Sequence, residues 1–151
     1  MNPLKALLTR LFQTTPIQDH DDPVLGVLRW RPSTDSWVSG PLPPDRRFHL
    51  EIARHKNGRA PPDDGVQVAR DIAKDPVKLE RGVRTQLVYE AQRRPPELRA
   101  RIIELTAQRV TLHSDGEKVY GEALLHGDPA LSNWSVWHVN GVPSQVAQHW
   151  E

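Results

Sequence analysis

The run Ser132-Asn133-Trp134-Ser135-Val136-Trp137-His138-Val139-Asn140-Gly141 decides how this chain is read, because it is either a site or a piece of core. As a strand it places Trp134, Val136 and His138 on one face and Ser135, Trp137 and Val139 on the other, since successive strand side chains point to opposite sides. Both faces then carry a large aromatic. A central strand accounts for this, covered by helices on one side and by an apolar N-terminal stripe on the other. Aromatic residues are ordinary strand formers, and burying an indole removes much apolar surface from water. The competing reading makes Trp134 and His138 a ligand-facing pair, with Trp30 joining from an early hairpin. Indole would supply stacking area and one N–H donor, and imidazole a proton carrier near neutral pH.

Outward from this run, the same period of two recurs in both end thirds of the chain. Residues 24–31, VLGVLRWR, alternate between Val24, Gly26, Leu28, Trp30 and Leu25, Val27, Arg29, Arg31, as a strand with one dry and one partly dry side does. Trp37-Val38-Ser39-Gly40 suggests a short returning strand, and the prolines of residues 41–44 a connection. In RRFHLEIA, Phe48, Leu50 and Ile52 point one way and Arg47, His49 and Glu51 the other. Val110 and Leu112 predict a strand, Ser114-Asp115-Gly116 a turn, and the run from Lys118 the returning strand.

The middle of the chain changes period. Asp63 or Asp64 predicts the start of a helix through Ala73, and Asp75-Pro76 supplies a cap and first-turn proline for a second one. That second helix carries the stripe Leu79, Val83, Leu87, with Gly82 weakening it by about 1 kcal/mol relative to alanine. A third helix is expected from Pro95-Pro96-Glu97, burying Leu98, Ile102 and Leu105. Strands, then three helices, then strands imply an α+β fold: a mostly antiparallel sheet from N- and C-terminal strand groups, with the helices packed on one face.

Met1 to Gln13 reads as an additional amphipathic helix, because Leu4, Leu7, Leu8, Leu11 and Phe12 fall on one helical stripe. Lys5, Thr9 and Arg10 interrupt the unbroken apolar run that a secretory signal needs. The stripe is the expected partner-binding element. Docking on its own domain or on a sister chain is favoured over peripheral membrane contact, since two cationic residues attract anionic lipid weakly. The polar stretch Thr14 to Pro23 reads as a linker, which gives residues 1–21 as helix and linker and 22–151 as one α+β domain. No segment is long enough to span a bilayer.

Composition excludes several chemistries. The 151 residues contain no cysteine, which removes disulfides, thiolate zinc sites and cysteine nucleophiles and suits a reducing cytoplasm. A net charge of +1 from 20 basic and 19 acidic residues creates no field that gathers polyanions. Arg46, Arg47, Arg54, Lys56 and Arg59, and a second group at Arg93, Arg94, Arg99 and Arg101, read as solvated or partner-facing surface rather than a nucleic-acid site. Acids interrupt both runs, and only Phe48 interleaves as an aromatic. His49 and Glu51 read as a solvated strand face, because the zinc deaminases that use His-x-Glu also need cysteines. His20 among Asp19, Asp21 and Asp22 reads as a polar loop, so no metal site is expected. No Gly-x-Ser-x-Gly elbow or phosphate-cradling glycine loop is present, so no cofactor is expected.

Leu25, Gly26 and Leu28 in the opening strand, Trp37 in the hairpin and Trp137-His138 in the closing strand resemble a group of bacterial domains of unknown function, over roughly residues 22 to 142. Such a resemblance implies a shared α+β scaffold and a bacterial cytoplasmic setting, and no catalytic residues. The leading expectation is therefore a non-enzymatic protein-binding module, such as an immunity or accessory protein of a bacterial conflict system, whose partner is another protein or a second copy. The alternative is a small hydrolase or ligand-binding enzyme that uses His138 with Asp128 and walls its pocket with Trp134.

Overall fold

Eight strands in sequence order form one sheet in a computed structural model that describes residues 3–4, 16–43 and 48–149. The strands are β1 (His20–Asp22), β2 (Gly26–Arg31), β3 (Ser36–Val38), β4 (His49–Ala53), β5 (Thr106–Ser114), β6 (Val119–His126), β7 (Trp134–Val139) and β8 (Val142–Gln148). Three helices, α1 (Asp63–Lys74), α2 (Pro76–Gln92) and α3 (Pro96–Ile103), lie between β4 and β5. The expected α+β class is what the structure has. Every neighbouring pair is antiparallel except β4 and β5, which run parallel with Leu50 opposite Val110 and Ile52 opposite Leu112. The sheet is thus two antiparallel meanders joined at one parallel seam, and the helical crossover is the long connection a parallel pair requires.

The helices begin where prolines and acids dictate. At α2, the Asp75 side chain accepts from the Lys78 amide at 3.2 Å and Pro76 opens the helix. At α1, Pro62 holds the cap position and Asp63 and Asp64 fall in the first turn, where carboxylates favour the positive end of the helix dipole. Leu79, Val83, Leu87 and Ala91 form the buried stripe of α2. Gly82 lies beside β8, where an added Cβ would come within 2.7 Å of Pro143. The glycine that weakens the helix locally is what lets the last strand pack against it.

Alternation assigns one sheet face to the helices. Leu28, Trp37, Leu50, Ile52, Val110, Leu112, Ala123, Trp134 and Val136 are buried there with Ile102 of α3 and Leu105 just beyond its end. At full burial each large aliphatic or aromatic side chain contributes about 1.5–3 kcal/mol. Across this face Asp22 meets α1: Arg70 donates to its Oδ2 at 2.6 Å, and the Val24 and Leu25 amides donate to its Oδ1 at 2.9 Å.

Two elements differ from the expectation. The stretch read as a linker carries β1, and Ile17 before it packs against the core. The edge is anchored because Asp19 accepts from the Trp30 amide at 2.8 Å and the Gln18 carbonyl from Trp37 Nε1 at 3.1 Å. The second difference is β8, a strand built from the polar tail. Asn140 and Gly141 both sit at positive φ, 51° and 79°, between the paired Val139 and Val142, which makes the two-residue hairpin such a pair favours. The expected helix at residues 1–13 lies outside the described residues apart from positions 3–4, and with it Leu7, Leu8, Leu11 and Phe12; Leu4 is exposed. No helix among the described residues is long and apolar enough to cross a membrane.

Candidate functional site

β7 separates neighbouring residues onto opposite sides of the sheet. His138 lies on the helix-covered face, 1% exposed, and its Nε2–H donates to the Thr111 carbonyl at 2.8 Å while its Nδ1 accepts from the Gly141 amide at 3.3 Å. Those two bonds fix the tautomer and occupy both ring nitrogens. The ring stands over Gly121 of β6, where any Cβ would collide with the Thr111 carbonyl. Thr111 compensates within the ladder, its hydroxyl accepting from the Glu122 amide at 3.1 Å. Burial pushes the His138 imidazole below its ordinary range, against an upward pull from the Thr111 carbonyl. A neutral, enclosed imidazole with both nitrogens engaged is a strut between β5, β6 and β7.

The other members of the expected ligand group are dispersed. Trp134 is buried on the same face of β7, with the Arg94 guanidinium 5.1 Å from its ring centre. Its Nε1 has no hydrogen-bond partner among the described residues. Trp30 lies on β2, with β3 to β6 between it and β7, and packs against Trp37 at 4.6 Å between ring centres. Asp128 caps a short 3-10 turn through the Ala130 amide and receives Arg101 Nε at 2.6 Å; Arg101 and that amide hold its carboxyl below the ordinary value. It borders a hollow of about 390 Å³ with His126 and Pro129, and it is not hydrogen-bonded to His138.

A second constellation, not anticipated from the sequence, has the composition of a hydrolytic triad. His149 Nε2 lies 3.0 Å from Ser135 Oγ and 3.0 Å from Glu122 Oε2. A relay needs one ring nitrogen for the nucleophile and the other for the acid; here one nitrogen meets both, and Ser135 is fully buried. The group fastens the residue that follows β8, as do the paired bonds between Asn133 and His149.

The uncovered sheet face holds the remaining polar chemistry. Glu51, expected on a solvated strand, is 7% exposed. Ser36 Oγ donates to its Oε1 at 3.0 Å, Arg109 lies 3.4 Å from its Oε2, and Thr34 extends the chain through Ser36 at 2.6 Å. Burial, then the fields of Arg109 and Arg31, push the neighbouring His49 down. Cross-strand neighbours on β3 and β5 seal this row, which the sequence of β4 alone does not reveal. Further along, β5, β6 and β7 carry an open hollow of about 410 Å³ lined by Thr111, His113, Tyr120, Glu122, Leu124 and Trp137. Its rim is aromatic: His113 stacks on Tyr120 at 5.8 Å and 20°, and Trp137 stands directly opposite Glu122 across the β6–β7 pair.

The arginine runs are largely used internally. Arg54 bonds Gly58 and Asp35, Arg93 and Arg94 pair with Glu90, and Arg101 pairs with Asp128; Arg46 and Arg47 lie outside the described residues. Among the described residues no group of three or more His, Asp or Glu is placed to hold a metal ion. No family model matches the chain, and neither a curated protein nor a solved structure gives a significant match.

Proposed function

We propose that this chain is a non-enzymatic protein-binding module that works in a cytoplasmic setting, of the kind that serves as an immunity or accessory protein in bacterial conflict systems. The observation that carries this reading is the asymmetry of the sheet. Three helices cover one face, whereas the other presents Trp137, Tyr120, Val139 and Val27 between shallow hollows, with no described element over them. Interface cores are enriched in such aromatic anchors set among polar neighbours. Neutralising a toxin or seating an accessory factor needs only a complementary surface and no reacting group. The chain is read with the bacterial domains that its Leu25-Gly26 and Trp137-His138 motifs resemble. The hydrolase reading gains no support from His138, whose nitrogens are engaged, or from Asp128, which Arg101 occupies.

Photo-crosslinking tests the proposal. A photoreactive phenylalanine replaces either Trp137 on the open face or Tyr89, which is 63% exposed on α2, in the full chain within its source cells. One discrete protein adduct from position 137 and none from position 89 is the expected outcome. Equal adducts from both positions, or none from position 137, overturn the proposal.

A further inference from the structure

The shallow hollow on the open face of β5, β6 and β7 has the chemistry of a cation site. Its lining combines one carboxylate, Glu122, with the rings of Trp137, Tyr120 and His113 and the Thr111 hydroxyl. A volume of about 410 Å³ falls within the roughly 300–1,000 Å³ of ligand-holding clefts. Strand register produces the arrangement: Glu122 and Tyr120 are two apart on β6, and Trp137 and Val139 stand opposite them on β7. The carboxylate is only partly engaged, because Oε2 meets His149 Nε2 at 3.0 Å and Oε1 accepts from no described residue. Aromatic faces attract cations through their negative quadrupole, and the Glu122 carboxylate, its side chain 18% exposed, adds charge attraction at the same spot.

We propose that this hollow receives an arginine side chain of the partner protein, its guanidinium stacked on Trp137 and bonded to Glu122. The planar guanidinium suits the site better than a lysine ammonium, since it can lie flat on indole while its N–H fork faces a carboxylate. The hollow over β2 and β3, on the far side of β4, holds Arg29 and Arg31 and repels such a group. These two hollows of the open face therefore differ in charge, and the one at Glu122 suits a basic anchor. This assignment rests on the reading of the chain as a protein-binding module and names the chemistry of the partner's anchor.

The test is a titration of the full chain at pH 8, following the Trp137 indole N–H by NMR, its signal assigned by its loss in Trp137→Phe. N-acetyl-arginine amide is compared with N-acetyl-lysine amide and with the uncharged isostere N-acetyl-citrulline amide. A saturable shift with the arginine amide, weaker binding of the lysine amide and none of the citrulline amide are expected. Glu122→Gln should weaken the arginine amide about tenfold, as loss of a charge-assisted bond does, with thermal melting checked in parallel. Trp137→Leu, which removes the ring but not the carboxylate and is followed through the Glu122 backbone amide signal instead of the indole, should weaken it as well and covers the case in which Glu122→Gln fails to fold. Equal shifts by arginine and citrulline amides, or no shift by either, overturn the assignment. The two readings fail separately. A discrete adduct from position 137 without arginine binding removes only the guanidinium site, whereas arginine binding without an adduct removes the protein partner and leaves a small-cation site.

Discussion

Trp137 and His138 are neighbours in the chain and opposites in the fold. One belongs to a face that nothing described covers, the other to a face sealed by three helices, and the pleat of a single strand makes the difference. On the covered side the buried His138 and Asp22 keep their bonds complete, and Trp134 is the exception, its Nε1 unpartnered among the described residues. On the open side Glu122 keeps one oxygen unpaired among the described residues, and the rings of Tyr120 and Trp137 stay partly exposed. The chemical identity of a residue therefore says less about its role than its parity along the strand.

The contrast is broken most severely at Gly121→Ala. The new methyl group would meet backbone rather than a movable side chain, so a loss of about 3 kcal/mol or outright failure to fold is expected, read by urea unfolding. His138→Ala comes next, at about 2–4 kcal/mol, because it opens a cavity and orphans the Thr111 carbonyl. The same residue has a pH signature. Its imidazole is depressed in the folded state, so its contribution is fully present above the ordinary value of 6.5 and falls away as pH drops below it. His138→Gln should flatten that part of the stability–pH curve.

Asp22 gives a third, smaller effect in a more acidic window. Burial pushes its carboxyl up, but Arg70 and the Leu25 and Val24 amides outweigh this and bring it from 3.8 to about 2. The stability it supplies is present above pH 4 and is lost as pH falls through the folded value. Asp22→Asn should cost about 2 kcal/mol at pH 7 and remove most of the change between pH 4 and pH 2, measured by denaturant titrations across that range. The smallest effect sharpens the contrast: Trp137→Ala should change stability by less than about 1 kcal/mol while abolishing the adduct formed from neighbouring open-face positions.

Much of the architecture was legible because it depends on period. The alternation in residues 48–52 and 134–139 gave the facing of β4 and β7 correctly, and Asp75-Pro76 marked the start of α2. What escaped was structure set by partners rather than by pattern. β1 is three polar residues held by Arg70 and by the chain before it, and β8 is a polar strand whose signal lay in Asn140-Gly141 instead of in its own composition. The site was less legible still. Trp134 and His138 share a face of β7, but Trp30 lies on β2 with four strands between, and Glu51 looked solvated until Ser36 and Arg109 closed over it. The hollow at Trp137 draws its lining from three strands, and only cross-strand register brings Glu122 opposite the indole.

The single parallel seam carries a kinetic consequence. Within each meander, contacts are made between stretches close in the chain, whereas His49 meets Arg109 sixty positions later. Closing a loop that long must precede any reward from the ladder it forms. The two halves should therefore organise separately and zip together last, so that mutations at Leu50 or Val110 alter the unfolding rate more than the refolding rate of either half.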